Sequence, residues 1–304
     1  MLAITGITGK SGSVFAEEIC RNEERIKDMF PKGIRLLLHS QKETVFDRMS
    51  HSLNIETAVG DLEDAAFLGT ALTGVDTLVH IAGIHWSKKV MYAAALNNVR
   101  RAICVHTTGI YSKYKEAGEE YRRIDDFVYK ICSDENISLS ILRPTMIYGS
   151  PADKNVITFI KMVDKFPIMP TVNGARYELQ PVHFADLGRA YLDVLLDEKY
   201  TSGKDYVLSG KEPILLRDMF VVIGKHLGKK VKFVSCPYFI AYSGAVIIYA
   251  ITLKKIDMRE KVQRLCEPRV YSHEDATRDF GYNPRGFAEG VMEEVKMYLD
   301  SNNK

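Results

Sequence analysis

The chain begins MLAITGITGKSG, residues 1–12, a short apolar run followed by glycines at Gly6, Gly9 and Gly12. The run Leu2 to Thr5 reads as a buried strand, and a strand that turns sharply into a helix needs glycine for the tight turn, for close approach of a ligand and for helix-on-strand packing. The new helix then offers free backbone N–H groups to an anion. The spacing is Gly-x-x-Gly-x-x-Gly, with Thr8, Lys10 and Ser11 inside the turn, where a cation and hydroxyls reach a pyrophosphate. An ordinary strand-to-helix turn would also use glycine, so the rest of the chain must decide.

Outward from this turn, strand-like apolar runs alternate with helical stretches, the pattern of a parallel sheet covered on both faces. Strands are expected at 2–5, 34–39, 55–60, 77–83, 101–108 and 139–144, with helices over Ser11–Asn22, around Val45–Ser50, over Ala65–Leu72, Lys88–Asn98 and about Gly118–Ser133. The connections are short enough for βαβ units. After Pro144 the rhythm changes to proline-punctuated loop, and the later elements no longer alternate cleanly. The expected organisation is α/β: a Rossmann-type doubly wound parallel sheet over 1–150, with strand and helix returns near 176–206, and a smaller substrate-binding lobe making up most of 151–304. A cleft is expected at the C-terminal ends of the strands.

The 304 residues are 46% hydrophobic and 26% charged, ordinary globular content. A formal charge of +2 arises from 41 basic and 39 acidic residues that are interspersed, so the chain carries no electrostatic footprint for nucleic acid. The cysteines Cys20, Cys104, Cys132, Cys236 and Cys266 are odd in number and widely spaced, which fits free thiols in a reducing compartment and neither a disulfide framework nor a metal site. The N-terminus enters a strand at once, so no signal peptide is expected and the location is read as cytoplasmic. The run YFIAYSGAVIIYAITL, 238–253, is shorter than the ~20 residues that span a bilayer. It reads as a buried or partly exposed helix, or as an interfacial contact with a membrane or a protein partner; separately, a homodimer is an expected assembly.

Several separated stretches together resemble the extended and atypical short-chain dehydrogenase/reductase superfamily, in its NAD-dependent epimerase/dehydratase branch. TGITGKSG (5–12) resembles that family's TGxxGxxG cofactor loop, and GDLED (60–64) its Gly-Asp-Leu segment. GVDTLVHIAG (74–83), LRPTMIYG (142–149), QPVHFADLGRAYLDVL (180–195) and DFGYNPR (279–285) resemble further family motifs, in the right order over nearly the whole chain. The resemblance implies a nicotinamide dinucleotide whose pyrophosphate sits on the first helix, near Gly6, Thr8, Gly9, Lys10, Ser11 and Gly12. By the same resemblance Asp61 and Leu62 meet the adenine, and Ala82, Gly83, Ile84 and Pro144 border the cofactor. NAD sites place an acid at the end of the second strand, whereas this strand ends LLLHSQKE, with His39 or Ser40 at that position and Lys42 close behind. The missing carboxylate points to NADP, with NAD as the alternative.

The family's chemistry uses a Tyr that exchanges a proton while hydride moves, with a Lys one helical turn later that lowers the phenol's pKa. A Ser or Thr at the end of the fifth strand bonds the reacting oxygen, a role that Thr107 or Thr108 in VHTTGIYS can fill. Tyr111 and Lys115 satisfy Tyr-x-x-x-Lys literally but lie just beyond the strand. The family position counted back from Arg143 and Pro144 falls on Tyr121, whose i+4 residue is Asp125, not Lys, and a carboxylate there should raise the phenol's pKa. Three readings follow: Tyr121 acts without its Lys, Tyr111 and Lys115 form a shifted pair, or the chain binds cofactor and has lost the reaction. His85 and Trp86, just past the fourth strand, and Arg176 in the lobe are candidate substrate contacts, Arg176 for a phosphate. His80 and His183 read as packed residues. Two function classes remain. One is an oxidoreductase or epimerase/dehydratase-like enzyme acting on a nucleotide sugar or a related carbonyl or hydroxyl compound. The other is a dinucleotide-binding redox sensor or assembly subunit.

Overall fold

A computed structural model of the protein describes residues 1–40, 49, 53–114, 116–166 and 168–302. Lys42 and Lys115 lie outside the described residues, as does most of the helix expected over Val45–Ser50.

The opening apolar run forms β1 (Leu2–Thr5), fully buried, near the middle of a seven-stranded sheet. Its neighbours are β2 (Ile34–Leu38), β3 (Ile55–Val59), β4 (Thr77–His80), β5 (Arg101–Val105), β6 (Ser138–Pro144) and a last strand, Asp205–Leu208. Across the sheet the order is Asp205–Leu208, β6, β5, β4, β1, β2, β3, and every pairing is parallel. Successive connections run one way from β1 to β3 and the other way from β4 onward, so the order reverses between β1 and β4. A crevice opens at such a switch point, outside the C-terminal ends of the strands. The register sets Thr5 opposite Leu37 on one side and His80 on the other.

Both faces are covered, as continuous apolar strands require. On one face α1 (Lys10–Arg21) packs with the helix Phe184–Leu196, through Phe15, Ile19, Leu187 and Tyr191. The helices Ala65–Ala71, Ser87–Leu96 and Gly118–Asp134 contribute Leu68, Val90, Ile124 and Val128 on the other. The fourth and fifth strands are shorter than their apolar runs. After His80 the backbone swings out at Gly83, with φ at 120°, into a short 3₁₀ turn, Ile84–Trp86. After Val105, Thr107 accepts a hydrogen bond from the Gly109 N–H and starts the turn Thr108–Tyr111.

A third core, built by the helices Val156–Lys165, Leu216–His226 and Phe287–Asn302, forms the lobe beyond the strand ends. A parallel pair, Ile168–Val172 with Lys232–Cys236, borders it. The helix Phe184–Leu196 and the strand Asp205–Leu208 return to the main sheet, the returns read near 176–206. The five cysteines are free. No helix among the described residues is long and apolar enough to cross a membrane.

Candidate functional site

The three opening glycines do different work. Gly6 has φ of +77°, and a Cβ there would lie 2.5 Å from the Ala82 backbone nitrogen. A Cβ on Gly12 would lie 2.3 Å from the Gly6 carbonyl oxygen, so both positions are closed to a side chain by the backbone itself. Gly9, the helix N-cap, has ordinary φ of −70°, and its Cβ would meet only the Gly6 oxygen at 3.3 Å. Gly6 and Gly12 therefore shape the turn, while Gly9 keeps its outer side open.

That open side faces a groove of 690 Å³ whose lining includes Gly6, Thr8, Gly9, Ser11, His39 and Asp61, and also Leu62, Glu63, Ala82 and Trp86. It lies at the C-terminal ends of β1, β2, β3 and β4, the predicted crevice. The first turn of α1 carries no acidic residue, so its positive end is uncompensated and suits an anion. The end of β2 brings His39 and no carboxylate to the groove wall, while Ser40 is exposed beside it and does not line it. Lys10 is exposed outside the groove, and Gly12 is buried beneath the turn. Ile84 is buried in the second core, Gly83 shapes the bend, and Pro144 is buried at the end of β6, so none of these three lines the groove. Glu63 is a lining residue that sequence reading did not single out; its carboxylate pairs with Lys89.

Beside the groove, at the ends of β5 and β6, lies a second cavity of 230 Å³. Thr107, Thr108, Gln180 and Tyr271 line it together with two arginines, Arg264 and Arg269. The Thr108 hydroxyl donates to the Pro144 carbonyl at 3.2 Å, and Thr107 holds the turn, so both hydroxyls are fixed at the cavity wall. The Nε atoms of Arg264 and Arg269 are buried without a hydrogen-bond partner. Burial first, and then the Arg264 charge, hold the Arg269 guanidinium down at about 10. Two converging guanidinium groups with unused donors are what an anionic group would satisfy. Sequence reading pointed instead to Arg176, which is exposed and lines neither cavity. Nothing local distinguishes Arg264 and Arg269; packing of the lobe brings them to the strand ends.

Tyr121 lies on the helix Gly118–Asp134, 8% exposed, in the core beside Ile84. Its ring meets His85 edge-on at 5.4 Å, and His85 in turn faces Glu120 at 3.5 Å. Burial first and Glu120 second raise its phenol above the ordinary tyrosine value. The Asp125 carboxylate is committed elsewhere. One oxygen bonds His106 Nδ1 at 2.6 Å and the other accepts from Arg143 at 2.6 Å. His106 Nε2 reaches the Ser87 hydroxyl at 3.1 Å, and Arg143 continues to Tyr129 and Asp205. Burial works to raise the Asp125 carboxyl, yet the His106 and Arg143 partners outweigh it and hold the group below its ordinary value. The position that follows Tyr121 by one helical turn is thus occupied by a buried polar chain. Tyr111 is half exposed and tilted against Tyr271 at 5.5 Å, outside the cavity that Tyr271 lines.

His80 and His183 are packed. His80 bonds Thr5 Oγ1 at 2.7 Å and the Gly83 carbonyl at 3.2 Å, and burial followed by the His106 charge pushes it down to about 3. His183 accepts from the Ala185 N–H and caps the helix Phe184–Leu196. No group of side chains among the described residues is arranged to hold a metal ion.

A seven-stranded parallel sheet with a glycine cradle at its switch point defines a Rossmann-type α/β fold. No family model matches the chain. Over 268 residues, 76% of this chain and 79% of the relative, it is 23% identical to an N-acetyl-alpha-D-glucosaminyl-diphospho-ditrans,octacis-undecaprenol 4-epimerase of Escherichia coli O157:H7. Its fold is that of the NADPH-dependent quinone oxidoreductase of Escherichia coli, solved with NADPH, at a TM-score of 0.71 and 17% identity over 98% of this chain and 100% of that one. It also matches the UDP-glucose 4-epimerase of Thermotoga maritima, solved with UDP-glucose, at 0.69 and 14% identity over 99% of each chain. The Rossmann-type fold expected from the sequence is thus the fold of these solved structures, an epimerase and a quinone oxidoreductase among them.

Proposed function

We propose that the protein is an NAD(P)-dependent oxidoreductase or epimerase/dehydratase-like enzyme acting on a diphosphate-linked sugar, with NADP as its preferred cofactor. The observation that carries this reading is the adjacency of two differently equipped spaces: a cradle whose outer side is open at Gly9, and a cavity whose wall combines two fixed threonine hydroxyls with two arginines bearing unused Nε donors. The dinucleotide would supply or accept hydride at the boundary between them. Thr107 or Thr108 would hold the reacting oxygen, and Tyr121 would give or take its proton. Arg264 and Arg269 would clamp the diphosphate, a group that the substrate of the bacterial relative carries by name and that the ligand of the Thermotoga structure contains. His39 at the end of β2, in place of a carboxylate, leaves room for a 2′-phosphate, which an acid there would repel.

A second reading, a dinucleotide-binding protein without turnover, is favoured by Asp125, which stands where the resemblance expects lysine and is tied into a buried network. One experiment separates the two. The purified protein is titrated with NADP and NAD by calorimetry and incubated with UDP-sugars and lipid-diphosphate sugars, reading product by mass and NMR. We expect tighter binding of NADP, turnover of a diphosphate-linked sugar, and loss of about 100-fold or more of the activity in Tyr121→Phe. Nucleotide binding with no turnover across the screen would favour the second reading, and absence of nucleotide binding would overturn both.

A further inference from the structure

One feature plays no part in either cavity. The helix Tyr238–Ile251 has a single buried residue, Ala245, although the run from Tyr238 to Leu253 contains no charged side chain. Phe239 is 68% exposed, Ile247 56%, Ile251 76% and Leu253 80%. A contiguous apolar surface of this kind marks an interaction site. At 100° per residue the exposed positions from Val246 and Phe239 round to Ile248 span an arc of roughly 200°. That is a protruding ridge, wider than the stripe one flat protein face can cover, whereas fluid acyl chains conform to it. A helix of 14 residues is about 21 Å long, too short for the ~30 Å hydrocarbon core, so it can lie in the plane of a bilayer but not cross it.

Two further observations point to the same occupant. The helix ends with Leu253 and Lys254 in the left-handed region, at φ of 51° and 67°, a strained arrangement that leaves Leu253 the most exposed apolar side chain of the run. Lys254 and Lys255 follow at once, both exposed, beside the apolar ridge, which is the charge pattern that anionic headgroups complement. Tyr238, Tyr242 and Tyr249 lie on the opposite, half-buried side of the helix, Tyr249 under the Arg259 guanidinium at 4.0 Å, and hold the ridge against the rest of the protein. The segment after the helix then forms part of the wall of a third cavity, 330 Å³ and largely apolar, through Met258 and Lys261. Phe159, Met162 and Phe220 line its interior, and it shares Arg264 and Arg269 with the polar cavity.

We propose that the helix Tyr238–Ile251, with Lys254 and Lys255, docks the protein in the headgroup region of a bilayer containing anionic phospholipid. The inference stands apart from the reaction assigned to the cleft and is tested without it. The full chain is mixed with phosphatidylcholine vesicles, with or without phosphatidylglycerol, and separated by flotation at low and moderate salt. Wild type is expected to float with phosphatidylglycerol vesicles and much less with phosphatidylcholine alone. The paired change Ile247→Glu and Ile251→Glu, at exposed positions that leave the fold and nucleotide binding intact, is expected to abolish flotation. Replacing Lys254 and Lys255 by Ala is expected to weaken partitioning into phosphatidylglycerol vesicles roughly 30-fold. Wild type remaining free of every vesicle overturns the proposal, as does flotation of the glutamate variant at the wild-type level. A dimer in solution that the glutamate variant dissociates, without flotation of wild type, assigns the ridge to a second copy and likewise overturns it.

Discussion

Lysine at position 125 would restore the Tyr-x-x-x-Lys spacing, and sequence alone suggests that Asp125→Lys repairs an active site. The geometry predicts that it breaks the protein. Asp125 is 5% exposed and holds His106 and Arg143 through two contacts of 2.6 Å, and Arg143 is itself only 2% exposed. Each charge-assisted hydrogen bond contributes about 1.5–3 kcal/mol. Removing one partner of a buried ion pair costs about 3–5 kcal/mol, because the other charge stays buried. Arg143 would retain Asp205, which is more than a third exposed and holds it less tightly. Asp125→Ala should therefore lower the thermal midpoint by roughly 5–8 °C, and Asp125→Lys, which sets a cation against Arg143, by more. Thermal unfolding followed by circular dichroism measures the midpoint, and urea unfolding the free energy. The double change Asp125→Leu and Arg143→Met, which removes both charges, should recover much of the loss. An Asp125→Lys protein within about 1 kcal/mol of wild type would refute the argument.

Three other changes test the turn and the lobe. Gly12→Ala should destabilise the unliganded protein by about 1–3 kcal/mol through its clash with the Gly6 oxygen, whereas Gly9→Val should leave the thermal midpoint nearly unchanged and abolish nucleotide binding by calorimetry. Glu294 is fully buried, and burial first and Asp153 second push its carboxyl far above the ordinary range. The native state then keeps a proton that the unfolded chain loses above pH ~4.5, so stability falls as pH rises. Glu294→Gln should flatten that slope and gain at least about 1 kcal/mol at pH 8 in denaturant titrations.

Much of the architecture was legible because it is dictated locally. Six apolar runs of strand length, separated by helical stretches, predict a parallel sheet, and the glycine spacing marks its switch point because only backbone fits at Gly6 and Gly12. Strand ends were less legible. The apolar runs 77–83 and 101–108 continue past the last ladder positions, and the bend at Gly83 and the Thr107 turn end the strands while the side chains stay apolar or buried. The polar cavity was half legible. Thr107 and Thr108 follow β5 directly, but Arg264 and Arg269 arrive from the lobe, more than 100 residues later in the chain, through packing that no local pattern records. The fate of Asp125 was hidden for the same reason. Its partners His106 and Arg143 sit at the ends of β5 and β6, and only the sheet register brings them to one helix face.

That hidden network bears on the direction of the chemistry. In the resembled family a lysine lowers the phenol's pKa so that it can serve as base near neutrality. Here burial and Glu120 raise Tyr121, and Asp125 offers no cation. A phenol raised above ~10 is almost fully protonated at pH 7, which suits it to donate a proton as hydride reaches a carbonyl and unsuits it to abstract one from a hydroxyl. If Tyr121 carries the proton, reduction should therefore have a kcat that stays flat from about pH 6 to pH 9. Oxidation of the corresponding alcohol should climb about tenfold per pH unit over the same interval, because the competent phenolate fraction grows in that proportion. A bell-shaped oxidation profile peaking near neutrality would mean that some group other than this tyrosine takes the proton.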